Sequence, residues 1–239
     1  MVDCTLSGAD IDSVESFAGK DISMEIFKGL HAFIWRDFQA NNCNTYFIEG
    51  SKKILVDPGI FQFFSHVRAG LAHLGLSPGQ IDVVVITHEH YDHMDSVHLF
   101  EKPTWIAMSR GARDSIRKYG NGREVFPEPD FMLTEGTLNI GNASFYIIPS
   151  PGHSPGSICV YWPDRKVLFS GDTIFKQSIG RSDLPGGQGS LLKESILRIS
   201  KLDIEYLLPG HGEIIEGKKE VQENFRFIER QWFRYLEDN

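Results

Sequence analysis

The segment THEHYDH, residues 87–93, sets His88, His90 and His93 beside Asp92 and Glu89. Imidazole nitrogens and carboxylate oxygens are the donors that borderline divalent ions accept. The apolar run IDVVVI in front of it reads as a buried strand, so the cluster stands where a strand releases the chain. If the chain turns there into a helix, His88 and His90 point one way, and Asp92 and His93 open the helix toward a neighbouring point. One such cluster carries little weight, because a lone histidine is more often a packing or surface residue. The design, however, recurs. His153 follows the strand-like FYIIPS on a Pro/Gly turn, Asp172 ends VLFSGD, and His211 follows IEYLLPG. A single tetrahedral ion uses three or four ligands, so five histidines and two aspartates point to two ions. Paired cations lower the pKa of a water between them and stabilise charge on attacking and leaving atoms, which is hydrolytic chemistry.

Donors spread over so much sequence need a scaffold that delivers strand ends to one place. SMEIFKGL, HAFIW, NTYFIEG and KKILVDPG are short, β-branched or aromatic runs broken by Gly, Asn and Asp, and predict an antiparallel meander. IFQFFSHVRAGLAHLG shifts to helical spacing and stops at Gly75. MDSVHLF reads as a short helix, PTWIAM as a strand, and SRGARDSIRKYG as a helix with Ser109 as N-cap. After the polar loop at 119–130 the grammar restarts with TLNIG, ASFYIIPS, SICVYW and KVLFSGD as strands. GSLLKESILRISKL is then a helix, IEYLLPGHG a strand with its loop, and GKKEVQENFRFIERQWFRYLEDN a closing helix. Two such halves without a linker predict two packed sheets with helices outside. The expected organisation is a peripheral lead-in over residues 1–20 and one domain over 21–239.

The 239 residues carry a formal net charge of −8 and no Lys/Arg-rich run, which argues against a nucleic-acid partner. No stretch has the length of a membrane span. The acidic opening MVDCTLSGADIDSVESFAGK has no apolar core of a signal peptide, so a cytoplasmic protein is expected. Cys4, Cys43 and Cys159 are odd in number and far apart, and read as free thiols.

THEHYDH, PGHSPGS, FSGDTIF and LPGHG, in this order, resemble the motifs of the metallo-β-lactamase superfamily, and DTIFKQSIGRSDLPGG is similar to the corresponding stretch of its glyoxalase II-like hydrolases. The resemblance covers roughly residues 22 to 228. It implies a four-layer αβ/βα sandwich, two mixed sheets with outer helices, with the site at one edge of both sheets. It also implies roles: His88, His90 and His153 for a first ion, Asp92, His93 and His211 for a second, and Asp172 bridging. Asp92 would in addition hold the activated water and accept its proton. The implied activity is cleavage of a small thioester or ester with two divalent ions, zinc foremost and iron or manganese as substitutes.

Rival readings differ in testable ways. Persulfide dioxygenases resemble this fold but use one iron, whose ligands would correspond to His88, His153 and Asp172. A flavodiiron-type oxidoreductase would carry Glu where this chain has His90. The β-lactam hydrolases proper are expected to carry an export signal, and a nuclease an inserted domain. Full glyoxalase II enzymes append a helical domain with glutathione contacts that this sequence is expected to lack, which leaves the thioester open. A module that keeps its metal only for folding is the non-enzymatic alternative.

Around the ligands, Asp57 in ILVDPGI is either a turn aspartate bonding nearby amides or a carboxylate that orients a ligand imidazole; the resemblance favours the second. Glu89 and Tyr91 are expected to point away from the ions, and His31, His66, His73 and His98 to pack or face solvent. Arg181, Asp183 and Lys176, on the Gly-rich stretch after Asp172, are expected near the substrate, Arg181 foremost. Val221, Phe225, Ile228, Trp232, Tyr235 and Leu236 form one stripe at helical spacing, with Phe227 and Phe233 on its flanks, where they read either as a homodimer contact or as burial against neighbouring loops.

Overall fold

The computed structural model describes residues 23–37, 39–119 and 128–236. The expected lead-in, Cys4 and most of the polar loop before residue 128 lie outside them.

Strands β1 (Met24–Phe27), β2 (Leu30–Phe33), β3 (Thr45–Ile48) and β4 (Ile54–Val56) form the predicted antiparallel meander. Helix α1 (Phe64–His73) then returns the chain so that β5 (Val83–Val85) pairs parallel to β4. Next come α2 (Tyr91–Met94), a 3₁₀ turn at Asp95–Leu99, β6 (Trp105–Ser109), α3 (Arg110–Tyr119) and β7 (Phe131–Leu133), which complete a seven-stranded sheet in the order β1 to β7. The second sheet holds β8 (Gly136–Ile140), β9 (Ala143–Pro149), β10 (Ile158–Trp162) and β11 (Val167–Gly171). The hairpin β12 (Ile174–Phe175) and β13 (Ser178–Ile179) and helix α4 (Gly189–Ile199) follow. Then β14 (Tyr206–Pro209) and β15 (Ile215–Glu216) finish the sheet, in the order β15-β14-β11-β10-β9-β8, before helix α5 (Lys218–Gln231).

The central strands β2 to β5 and β11 are buried along their whole length because both of their faces are covered. Successive side chains on a strand point to opposite sides. Accordingly Tyr46, Ile48, Val83, Val85, Ile158, Val160, Val167 and Phe169 meet between the sheets. Their neighbours Phe47, Val84 and Ile106 pack on the α1 and α3 side, and Cys159, Leu168 and Leu207 on the α4 and α5 side. The result is the expected four layers, helix–sheet–sheet–helix. Ser109 caps α3 as predicted, its Oγ accepting the Ala112 N–H at 2.9 Å. Gly75, after α1, adopts φ +72°, a left-handed conformation that favours glycine.

The closing helix is shorter than its periodicity predicts. It ends at Gln231 and passes into a 3₁₀ turn over Phe233–Tyr235, which changes the angular spacing of the side chains. Val221, Phe225, Ile228 and Leu236 are buried as expected, but Phe233 enters the core while Tyr235 is 66% exposed, the reverse of the predicted stripe. The short strands β7, β12, β13 and β15 have no counterpart in the sequence reading, since two or three residues show no periodicity.

The topology explains how distant residues meet. β4 and β5 run parallel, so the loops after Val56 and Val85 leave the first sheet at one edge. In the second sheet β9 and β11 are each antiparallel to β10, and β11 is parallel to β14, so the loops after β9, β11 and β14 also leave together.

Candidate metal centre

At that shared edge all seven predicted donors converge. His88 stands on the loop leaving β5, His90 in extended backbone at the N-cap of α2, and Asp92 and His93 inside its single turn. His88 Nε2 lies 3.1 Å from His90 Nδ1, and one ring nitrogen from each of His88, His90 and His153 lies within 4.8 Å of the others. Beside them His93 Nε2 lies 3.3 Å from His211 Nε2, which is 3.2 Å from Asp92 Oδ2. Asp172, at the end of β11, faces both groups. Its Oδ1 is 3.2 Å from His93 Nε2, and its Oδ2 is 3.3 Å from His211 Nε2 and 3.5 Å from His153 Nε2.

These groups fit a pair of cations. His153 Nε2 and Asp172 Oδ1 are buried polar atoms that make no hydrogen bond, whereas buried polar groups are normally satisfied. Gly210, before His211, comes so close that a Cβ there would stand 2.2 Å from Asp172 Oδ1 and 2.6 Å from His93 Cε1, so only glycine admits this approach. Burial, reinforced by the neighbouring His93, holds His88 well below its ordinary pKa, and burial also lowers His90 and His153. Neutral imidazoles are the form that ligates. In the other half burial is overridden. Asp172 is held well below the usual carboxylate range by His93 and His211 against the opposing effect of burial. In return His93 is pushed well above its usual value, and His211 up to about 9, mainly by Asp172 against burial. Asp92 falls to about 2 although burial opposes it, because it bonds His211. Positive charge drawn onto His93 and His211 balances the carboxylates that cations would otherwise neutralise.

A layer of hydrogen bonds fixes the donors. Asp57, at φ +54° after β4, accepts Thr87 N–H at 2.8 Å and Thr87 Oγ–H at 2.6 Å, and its Oδ2 lies 2.9 Å from His93 Nδ1. His153 Nδ1 lies 2.7 Å from the carbonyl oxygen of Arg181. Asn41 Nδ2 donates to Asp92 Oδ2 at 2.8 Å. Sequence reasoning missed Thr87, Asn41 and the Arg181 carbonyl, because none is a ligand type and their partners are remote in the chain.

The expected substrate residues form ion pairs. The Arg181 guanidinium makes a bidentate pair with Asp183, at 2.9 and 2.8 Å, and both side chains are exposed. Lys176 pairs with Glu213. Glu89 turns away from the donors as expected, its Oε2 accepting Ser154 Oγ–H at 2.8 Å. His31 is buried, stacked 6.0 Å from Phe47, in keeping with a packing role. Cys43 and Cys159 are buried free thiols. Among the described residues no helix is long and apolar enough to cross a membrane.

Two mixed sheets between helical layers, with a His/Asp cluster able to hold a metal pair at their common edge, define the class: a metallo-hydrolase fold. Residues 39–211 match the family model of the Metallo-beta-lactamase superfamily, and the chain belongs to that superfamily. A probable metallo-hydrolase of Methanocaldococcus jannaschii is 33% identical over 190 residues, covering 72% of this chain and 88% of that protein. Among solved structures, the BLEG-1 B3 metallo-beta-lactamase is 31% identical at a TM-score of 0.62, covering 76% of this chain and 90% of that one. TTHA1623 in a di-iron-bound form is 28% identical at a TM-score of 0.62, covering 79% and 92%.

Proposed function

We propose that this chain is a dinuclear metal-dependent hydrolase of glyoxalase II-like type that cleaves a small thioester or ester. The observation that carries the reading is the second donor group. Asp92, His93 and His211 bring their ligand atoms within 4.8 Å of one another beside the group formed by His88, His90 and His153. A mononuclear centre on His88, His153 and Asp172 would leave these three donors without an ion to hold.

His88, His90 and His153 would hold one ion, Asp92, His93 and His211 the other, and Asp172 would bridge. When bound, such a pair supplies an activated water and polarises the carbonyl to be attacked. The protein's part is to hold these donors rigid and to move a proton. The Asp92 carboxylate keeps the attacking water in line and takes up its proton. The Asp57 contact holds Nδ1 of His93, so that Nε2 faces the cluster. Arg181, on an exposed loop, meets the anionic or carbonyl-rich end of the substrate.

The test is loading of chelator-stripped protein with zinc and assay on a panel of S-acyl thioesters and esters under strict anaerobiosis. Turnover requiring two equivalents of zinc is expected. Because TTHA1623 has been seen in a di-iron form, iron loading is the parallel arm. Oxygen consumption with glutathione persulfide at one iron per chain would replace the hydrolase by a dioxygenase. Two tightly held ions without any turnover would leave a metal-binding module.

A further inference from the structure

The segment Asn41–Asn42–Cys43–Asn44 ends the connection from β2 to β3, contributes no metal donor, and yet bonds both Asp92 and the loop that carries His211. Asn44 is 1% exposed and its amide is fully used. Its Oδ1 accepts the Trp35 N–H at 3.0 Å, and its Nδ2 donates to the carbonyls of Pro209 and Gly212, each at 3.0 Å. Its own backbone N–H donates to Gly210 O at 2.7 Å. Three hydrogen bonds from one residue therefore grip the loop 209–212 on both sides of His211. The assignment of the amide is unambiguous, since a flipped amide would aim an oxygen at two carbonyl oxygens. Three residues earlier, Asn41 Nδ2 holds Asp92 Oδ2 at 2.8 Å. Between them, Asn42 Oδ1 accepts the Ile60 N–H at 2.9 Å, and Ile60 follows closely on Asp57.

We propose that Asn44, assisted by Asn41, is the positioning residue of the second ion's site, fixing His211 and Asp92 of opposite halves of the molecule in one frame. The proposal rests on the two-ion reading above and deepens it. His211 is a lone donor on a loop, whereas His88, His90 and His93 share one strand-to-helix turn. Gly210 N–H ties this loop to its own sheet through Gly171 O at 2.8 Å, and Tyr46 Oη ties it to the first sheet through Pro209 O at 2.7 Å, but Asn44, one residue before β3, bonds the first sheet to the loop on both sides of His211. The first group, His88, His90 and His153, receives no hydrogen bond from this segment. Loss of the bracket is thus expected to act on one ion and spare the other.

The experiment is zinc titration of chelator-stripped protein against a chromophoric competitor, with wild type, Asn44→Asp and Asn41→Ala. Asn44→Asp keeps size and the bond from Trp35, but turns the donor that faces Pro209 and Gly212 into an acceptor. Affinity for the second zinc should fall about 10- to 100-fold, as when a partner that orients a ligand is removed, with the first zinc unchanged. Asn41→Ala, at an exposed position, should show the same selectivity to a smaller extent, and decides the matter if Asn44→Asp fails to fold. Equal weakening of both ions, or unchanged affinity for the second in the folded variants, overturns the proposal and leaves the two-ion reading standing. A wild-type chain that takes up fewer than two zinc ions overturns both.

Discussion

Nδ1 of His93 lies 2.9 Å from Oδ2 of Asp57, both side chains fully enclosed beneath the donor cluster. The contact decides which nitrogen of His93 faces outward. Asp57 offers only acceptors, so Nδ1 carries a hydrogen and Nε2, which faces His211 and Asp172, is left as the nitrogen that would give up its proton to ligate an ion. Asp57→Asn alters this logic without changing shape, and Asn tolerates the left-handed φ of this position. Its amide N–H₂ can donate to Nδ1, favouring the tautomer with hydrogen on Nε2, which cannot ligate. Affinity for the second ion is expected to drop by about 10- to 100-fold. Asp57→Ala should also destabilise the fold by about 1–3 kcal/mol, because buried donors of Thr87 and His93 lose their acceptor. Metal titration and thermal melts of the two variants read these effects separately. Unchanged zinc affinity in Asp57→Asn would remove Asp57 from the site.

His211 contributes to the second group alone, and its side chain is 28% exposed. Its truncation therefore opens no sealed cavity. His211→Ala should retain the far-UV circular dichroism of wild type, bind one equivalent of zinc in place of two, and lose most turnover. Two equivalents and a wild-type rate in this variant would refute the assignment of the second site.

These residues also show what a sequence discloses. His88, His90, His153, Asp172 and His211 were legible because a donor type recurs at the end of each apolar strand, a local pattern with a chemical meaning. The four layers were legible because runs such as IDVVVI and VLFSG are apolar at consecutive positions, as strands covered on both faces must be. Asn44 was not legible. Its value lies in hydrogen bonds to Pro209 and Gly212, more than 160 positions away, and an asparagine before a strand ordinarily marks a turn. Tyr235 misled for another reason: helical periodicity was extended past Gln231, where the backbone tightens into a 3₁₀ turn and hands the core position to Phe233.

His66, on α1, provides a pH dependence separate from the metal centre. It stands edge-on to Trp35 at 5.4 Å between ring centroids, and its Nε2 is buried without a hydrogen-bond partner. Burial lowers its pKa below 6.5, only partly opposed by a bond to the Phe33 backbone. The unfolded chain therefore binds this proton first as pH falls. The contribution of the neutral imidazole is complete above pH 6.5 and is lost as pH drops from there toward the lower folded-state value, at a slope of up to about 1.4 kcal/mol per pH unit. In His66→Leu that component vanishes. Denaturant unfolding of both proteins in chelator, from pH 7.5 to 5, should show the stability difference moving in favour of the variant below pH 6.5. A difference constant across the range would show that His66 carries no such linkage.

Arg181 and Asp183 give opposed predictions from a single ion pair. The carbonyl of Arg181 holds His153, whereas its guanidinium is engaged by Asp183 in solvent. Replacing the side chain leaves the carbonyl in place, so Arg181→Ala should keep both zinc affinities. If the guanidinium meets the substrate, the variant should raise KM more than it lowers kcat, the mark of binding shared by ground and transition states. Asp183→Asn weakens the competing partner and frees the guanidinium, so KM for an anionic thioester should fall, while a neutral ester of similar size should be little affected. The salt dependence follows the same reasoning. The pair is exposed and screened, and the gap between Asp183→Asn and wild type should narrow as ionic strength rises. Steady-state kinetics on one anionic and one neutral substrate at two salt concentrations contain the whole test. An unchanged KM for the anionic substrate in both variants would take this loop out of substrate binding.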